Sequence, residues 1–395
     1  MPSVVSTACG QYGTALGNSR KLFRDAYGKY LALYKNANVR LGYCNNDPPT
    51  SGWSDNDLGS SFAVNAGEAF GVAGAYDSTN DRLMVSWVGS LNLKLAQITF
   101  TRDGSHNITG YTAGSVLSIA PAYVNTHNPS LWLLHNGEVA CVWGDDKTSG
   151  AKHSVTKFCR VVFGSPPTYK NAAGTASSVD TISSDYTSNF IICEATIVER
   201  INSGTGQYDI FAFWSGFSGT VCYVDSKKNK ATWSSPNWSW GSETTATASV
   251  YRSPTSNYDT SNGLIVYASL PPIGVSIIAV GTINSSDSDS NIGVSGLASA
   301  LRSGASLTIN ASDYYIFYTK SSNIYYIKRS GGSWGSETQF TTTTNENYPS
   351  CKVDGAGNRI ELIWTHYTGS AYNVYYDYIS LGAPPPAGGV LAQVM

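Results

Sequence analysis

Asp81-Arg82-Leu83-Met84-Val85-Ser86-Trp87, followed after a short loop by Leu93-Lys94-Leu95-Ala96-Gln97-Ile98, is the stretch on which the fold turns. A polar turn leads into an apolar-alternating strand that ends on an aromatic ring, and a second strand returns a few residues later. Six more copies of this unit run through the chain. They are Gly28–Tyr34 with Val39–Tyr43, Gly137–Trp143 with Ser154–Val161, and Tyr208–Trp214 with Thr220–Val224. Gly263–Tyr267 pairs with Val275–Val280, Tyr314–Tyr318 with Asn323–Ile327, and Asn358–Trp364 with Tyr372–Tyr376.

The strand-ending aromatics are therefore Tyr34, Trp87, Trp143, Trp214, Tyr267, Tyr318 and Trp364. From the first to the last is 330 residues in six intervals, about 55 each, enough for four short strands and their turns. One string repeats without change: Trp240-Gly241-Ser242-Glu243-Thr244 and Trp334-Gly335-Ser336-Glu337-Thr338, 94 residues apart. Repeats of this size predict an all-β chain folded as a single β-propeller. Seven four-stranded antiparallel blades are expected, with six as the alternative because the third-to-fourth interval is long. A β-sandwich or several small β domains with accidental spacing would be the competing arrangement, but no linker-like break divides the chain. The propeller is assigned to residues 20–381. Residues 1–19 lack a clear strand pattern, and residues 382–395 read as a Pro/Gly-rich tail around Pro384-Pro385-Pro386, stiff and solvated.

Composition agrees. Charged residues are 13%, about half the usual share, and the net charge of −2 gives no basic surface to neutralise phosphates, so nucleic acid is not an expected partner. Aromatics reach 12%, led by 26 Tyr, among Ser, Thr, Asn and 39 Gly suited to half-wet strands and tight turns. No apolar run reaches the roughly 18 residues of a membrane-spanning helix, so no membrane insertion is expected. No secretory leader is visible at the N-terminus. The seven cysteines are odd in number and form no C-x-x-C, and four fall in apolar strands, which favours free buried thiols over disulfides or a zinc site.

Strand, strand, then a turn closing on Trp resembles the Asp-box (BNR) repeat of sialidase-like propellers. The matches are degenerate: Asn46–Trp53, Asp225–Trp233 and Arg329–Trp334. The resemblance implies a structural hairpin on the blade rim. For an enzyme of that family it further implies three arginines clamping a carboxylate, a Tyr activated by a Glu, and an Asp acid/base. Of the eleven arginines none has the family's R-I-P context, and Arg24, in Phe23-Arg24-Asp25, is the best stand-in for the first clamp member. Other glycosidase propellers use inward carboxylates, for which Glu194, Glu199, Asp209 and Glu361 are candidates.

Two further constellations remain. Trp233, Trp238 and Trp240 lie within eight residues of a Ser/Pro/Asn-rich loop, as either a sugar-stacking platform or a latch between blades. Asp287, Asp289 and Asn291 begin like a calcium loop, but Gly293 is one place late and Ala298 stands where a bidentate Glu belongs, so a plain polar turn is favoured. The five histidines show no metal-ligand spacing, and no phosphate loop, dinucleotide fingerprint or nucleophile elbow occurs. No cofactor is expected. The function that follows is a non-catalytic surface or structural propeller, of a phage or other virion or extracellular, whose partners are glycans or neighbouring structural proteins; oligomerisation stays open. The alternative is a sialidase-like or related glycoside hydrolase working in the central funnel. An intracellular scaffold is third, since no WD or kelch signature appears.

Overall fold

The computed structural model describes residues 2–15, 20–66, 70–120, 125–146, 154–184, 194–215, 227–248, 252–270, 276–298, 300, 302–353 and 357–381. Seven antiparallel sheets form seven blades, each with a four-strand path from the axis outward. The inner strands are Leu22–Arg24, Val72–Asp77, Asn125–Leu133, Glu194–Asn202, Arg252–Asp259, Arg302–Asn310 and Glu346–Val353, and neighbours among them pack side by side around the axis. Among the described residues, helix is confined to one 3₁₀ turn, Ser60–Phe62.

The sequence repeat is the second and third strand of each blade. Its seven marker rings fall at one position of the second strand, and none is more than 2% exposed. Four of them reach a carboxylate of their own blade. Tyr34 donates to Asp55 (2.5 Å), Tyr267 to Asp289 (2.8 Å), Tyr318 to Glu337 (2.6 Å) and Trp364 Nε1 to Glu346. The partner is needed because a buried phenol or indole without one would forfeit its hydration. The two copies of Trp-Gly-Ser-Glu-Thr occupy equivalent outer hairpins of blades 4 and 6.

The core is not one cluster but seven apolar layers, one per blade seam. Leu31, Leu33, Val72, Leu83, Val85 and Trp87 fill the first seam, and Tyr315, Phe317, Leu362 and Trp364 the sixth. Each large apolar side chain buried there contributes about 1.5–3 kcal/mol.

Two expectations change. Ser3–Cys9 is a strand: it forms the outer edge of blade 7, antiparallel to Tyr372–Ser380, with Ser3 opposite Tyr376 and Val4 opposite Tyr375. Its Ser/Val/Thr/Ala sequence alternates only in part, because it covers an edge instead of spanning a core. In blade 4 the third strand is described over Lys227–Ser234, and the stretch read for it, 220–224, lies outside the described residues. That of blade 5 is Ala279–Ile283, a few residues later than read. Residues 382–395 also lie outside the described residues.

Candidate functional site

The inner strand of blade 1 brings an arginine to each end. Arg24, its last residue, belongs to the seam between the first and last blades. Arg20, two residues before the strand, enters the central cavity.

At the seam, the Tyr30 hydroxyl lies 2.6 Å from Glu361 Oε1 and 2.9 Å from Asp47 Oδ1. Arg359 Nη2 donates to the Tyr30 oxygen (3.1 Å) and pairs with Asp47, as does Arg24, whose guanidinium also lies over the Tyr30 ring. Tyr376 completes the group with a bond to Glu361 Oε1 (3.3 Å). A Tyr–Glu pair, two arginines and an aspartate thus meet, the residue types that the sialidase resemblance implies. Their environment differs from a working site. Tyr30 and Glu361 are wholly buried, and the two arginines share Asp47 as a counter-charge. Burial, then the charge of Glu361, pushes the Tyr30 phenol well above its ordinary range. A nucleophile needs the opposite shift. The two arginines hold Asp47 below the usual carboxylate range despite its partial burial.

The same chemistry recurs elsewhere in this seam and at others. Tyr34, Tyr267 and Tyr318 all have phenols raised first by burial and then by their carboxylate partners. Those carboxylates in turn take cations: Asp55 from Arg40, Asp289 from Lys228 of the preceding blade, and Glu337 from Arg302 and Lys320. Of the remaining candidate carboxylates, Glu199 binds the His135 ring (2.7 Å) and backbone N–H (2.8 Å), and Asp209 accepts from Arg200 (3.1 Å) and Lys230 (3.2 Å). Glu194 begins the inner strand of blade 4 and is buried. Glu199, Asp209 and Glu361 stand in three separate groups.

The central cavity measures about 190 Å³ and is lined by Arg20, Leu22 and Phe23 of blade 1, Thr255–Asn257 of blade 5, Ser306–Thr308 of blade 6 and Ser350–Lys352 of blade 7. Among these residues there is no Asp, Glu or Tyr. Arg20 reaches across the axis, with Nη1 donating to the Leu131 carbonyl (2.8 Å), Nη2 to the Ser256 carbonyl (3.0 Å) and the guanidinium lying 4.0 Å over the Trp132 ring. Sequence reasoning passed over Arg20. No spacing separates it from Arg24, and only the short inner strand sets their opposite destinations.

All three tryptophans pack into the seam between blades 3 and 4. Trp238 is buried beneath Arg160 and meets Trp233 edge-on (4.2 Å) across the outer hairpin, while Trp240 meets Phe158 edge-on (4.9 Å). Trp233 is half-buried and lies beside His135 (4.9 Å), which stacks on Tyr208. In the oxygen-rich turn, Asp287 sits between Arg200 and Lys230, Asp289 accepts from Lys228, Tyr267 and the Thr247 N–H, and Asn291 caps Gly293. Protein donors occupy these oxygens. Among the described residues no cluster of three His, Cys, Asp or Glu side chains is placed to share a metal ion.

No family model matches the sequence, and no curated protein matches it. Solved structures match the fold. A protein from Lactobacillus plantarum superposes with a TM-score of 0.51 at 10% identity, covering 88% of this chain and 93% of that one. A puromycin hydrolase gives 0.54 at 12% identity over 97% of this chain, which spans only 58% of the hydrolase. The six-bladed fucose-binding lectin of Aleuria aurantia gives 0.44 at 12% identity, covering 81% and 97%. At these identities the likeness is one of fold. The class that fold defines is the all-β, seven-bladed β-propeller, and the likeness is not specific to sialidases.

Proposed function

We propose that this propeller is a binding or assembly module without hydrolytic chemistry, displayed on a virion or other extracellular surface and taking glycans or neighbouring structural proteins as partners. One observation carries the reading. Candidate acids, bases and nucleophiles are engaged with one another at blade seams, and the phenols that bond carboxylates there, Tyr30, Tyr34, Tyr267 and Tyr318 among them, are shifted away from ionisation. What lines the axial cavity is hydroxyl, amide and apolar side chains with one guanidinium and one ammonium, a surface suited to recognition. Trp233, half-buried like Trp240 and set beside His135, is the aromatic face a sugar ring would use.

A panel of fluorogenic glycosides, sialosides included, should show no turnover. A glycan panel should show binding that Trp233→Ala weakens while leaving the fold intact. If no glycan binds, co-sedimentation with structural proteins of the source particle is the arm that identifies a protein partner. The hydrolase is the second reading, because Tyr30, Glu361, Arg24 and Arg359 do converge. Sialoside turnover abolished by Tyr30→Phe would establish it and overturn the first.

A further inference from the structure

We propose that the central cavity binds a small carboxylate on the guanidinium of Arg20. The starting point is a charge without a counter-charge. Arg20 lies inside the ring of blades, with two of its five N–H groups donated to backbone carbonyls and its face covered by Trp132. No carboxylate pairs with it among the described residues. Eight of the other nine arginines whose side chains are described behave differently; the ninth, Arg329, lies over the Tyr314 ring. Arg24, Arg40, Arg82, Arg102, Arg160, Arg200, Arg302 and Arg359 each pair with an Asp or Glu. Enclosing a lone cation costs several kcal/mol, and burial pushes this guanidinium down to about 9, with no opposing charge to restore it.

The cavity has the shape and lining to supply that charge from outside. Its volume of about 190 Å³ holds about six waters at roughly 30 Å³ each, and this is room for a carboxylate with a short substituent. The Trp132 ring closes one face of the guanidinium, so an anion meets it edge-on, where the three remaining N–H groups offer a planar fork matched to the two oxygens of a carboxylate. Thr308 and Ser350 place hydroxyls in the same lining, and Lys352 adds a second cation. No lining carboxylate competes for the site. This is not the three-arginine clamp: one arginine, held by carbonyls and an indole, makes the site.

The inference is independent of the glycan reading, since it concerns the axis and not the Trp233 seam. The probe is acetate, with bromide as a monoatomic control. Acetate titrated at constant ionic strength should raise the melting temperature of the intact protein, and Arg20→Gln should abolish that rise or weaken apparent affinity at least tenfold. Should Arg20→Gln fail to fold, crystals of the unaltered protein soaked in acetate and in bromide decide the question. Acetate density bridging the Arg20 guanidinium supports the proposal. Bromide there with no acetate density would overturn it, as would ordered water in both soaks.

Discussion

Glu337 shows how one residue serves several blade positions at once. It accepts from Tyr318 and pairs with Arg302 of the inner strand (2.8 Å) and Lys320 of the second (2.6 Å). Burial alone would push its carboxyl up, but Lys320, Tyr318 and Arg302 outweigh it and hold the carboxyl below the usual glutamate range. The carboxylate therefore contributes stability that is present above the unfolded-state value near 4.3 and lost as pH falls through its depressed folded value. Glu337→Gln should cost about 3 kcal/mol at neutral pH, chiefly by stranding the nearly buried Arg302. Urea midpoints from pH 7 down to pH 2 should show that difference shrinking below about pH 4. A pH-independent difference would mean that packing, not charge, is what Glu337 provides.

The residue scale is also where the sequence was least legible. Rings that end strands repeat at blade intervals and so announce themselves. A cation's environment does not. Arg20 and Arg24 are separated by three residues and face unlike surroundings, and Glu361 meets Tyr30 only because blades 1 and 7 are neighbours in a ring. Such pairings, more than 300 residues apart, have no local signature.

At the scale of elements, the second strands were readable because both faces are packed, which demands continuous apolar residues; third strands such as Lys227–Ser234 are only partly buried, and that of blade 5 was placed a few residues early. Outer strands are short and half-wet, and the outer strand of blade 7 comes from the opposite end of the chain. That strand, Ser3–Cys9, buries Val5 against Tyr30, Tyr34 and Val374 in the closing seam. Removing residues 2–9 should lower stability by on the order of 5 kcal/mol, from lost apolar burial and a lost strand pairing. It also bares the edge of Tyr372–Ser380, so the truncated protein should self-associate on size-exclusion chromatography. A monomer with an unchanged urea midpoint would show that the strand is dispensable.

Seven apolar layers make the molecule's interior a set of closed seams, and its thiols lie within or against them. Cys44, Cys141 and Cys159 are buried, Cys9 and Cys351 half-buried, and all five are free; Cys193 and Cys222 lie outside the described residues. Cys141 and Cys159 stand opposite each other on adjacent strands as thiols. Burial pushes Cys9 and Cys351 up to about 12 and raises Cys44 and Cys141 as well. A thiol reagent at pH 8 should therefore react slowly with these groups in the native protein. After denaturation without reductant it should titrate at least five; a single free thiol would contradict the seam assignment.

The pairing of Ser3 with Tyr376 has a consequence in time. Translation at about 5–20 residues per second separates the appearance of these two residues by roughly 20–75 s. Throughout that delay Ser3–Cys9, an uncharged Val/Ser/Thr segment, waits for the strand it will pair with. The propeller is thus an open arc until Tyr372–Ser380 has been made, and Ser3–Cys9 must be kept from pairing with other chains in the meantime. Slowed elongation lengthens this exposure, so the yield of soluble protein should depend on translation speed more than the finished ring's stability would suggest.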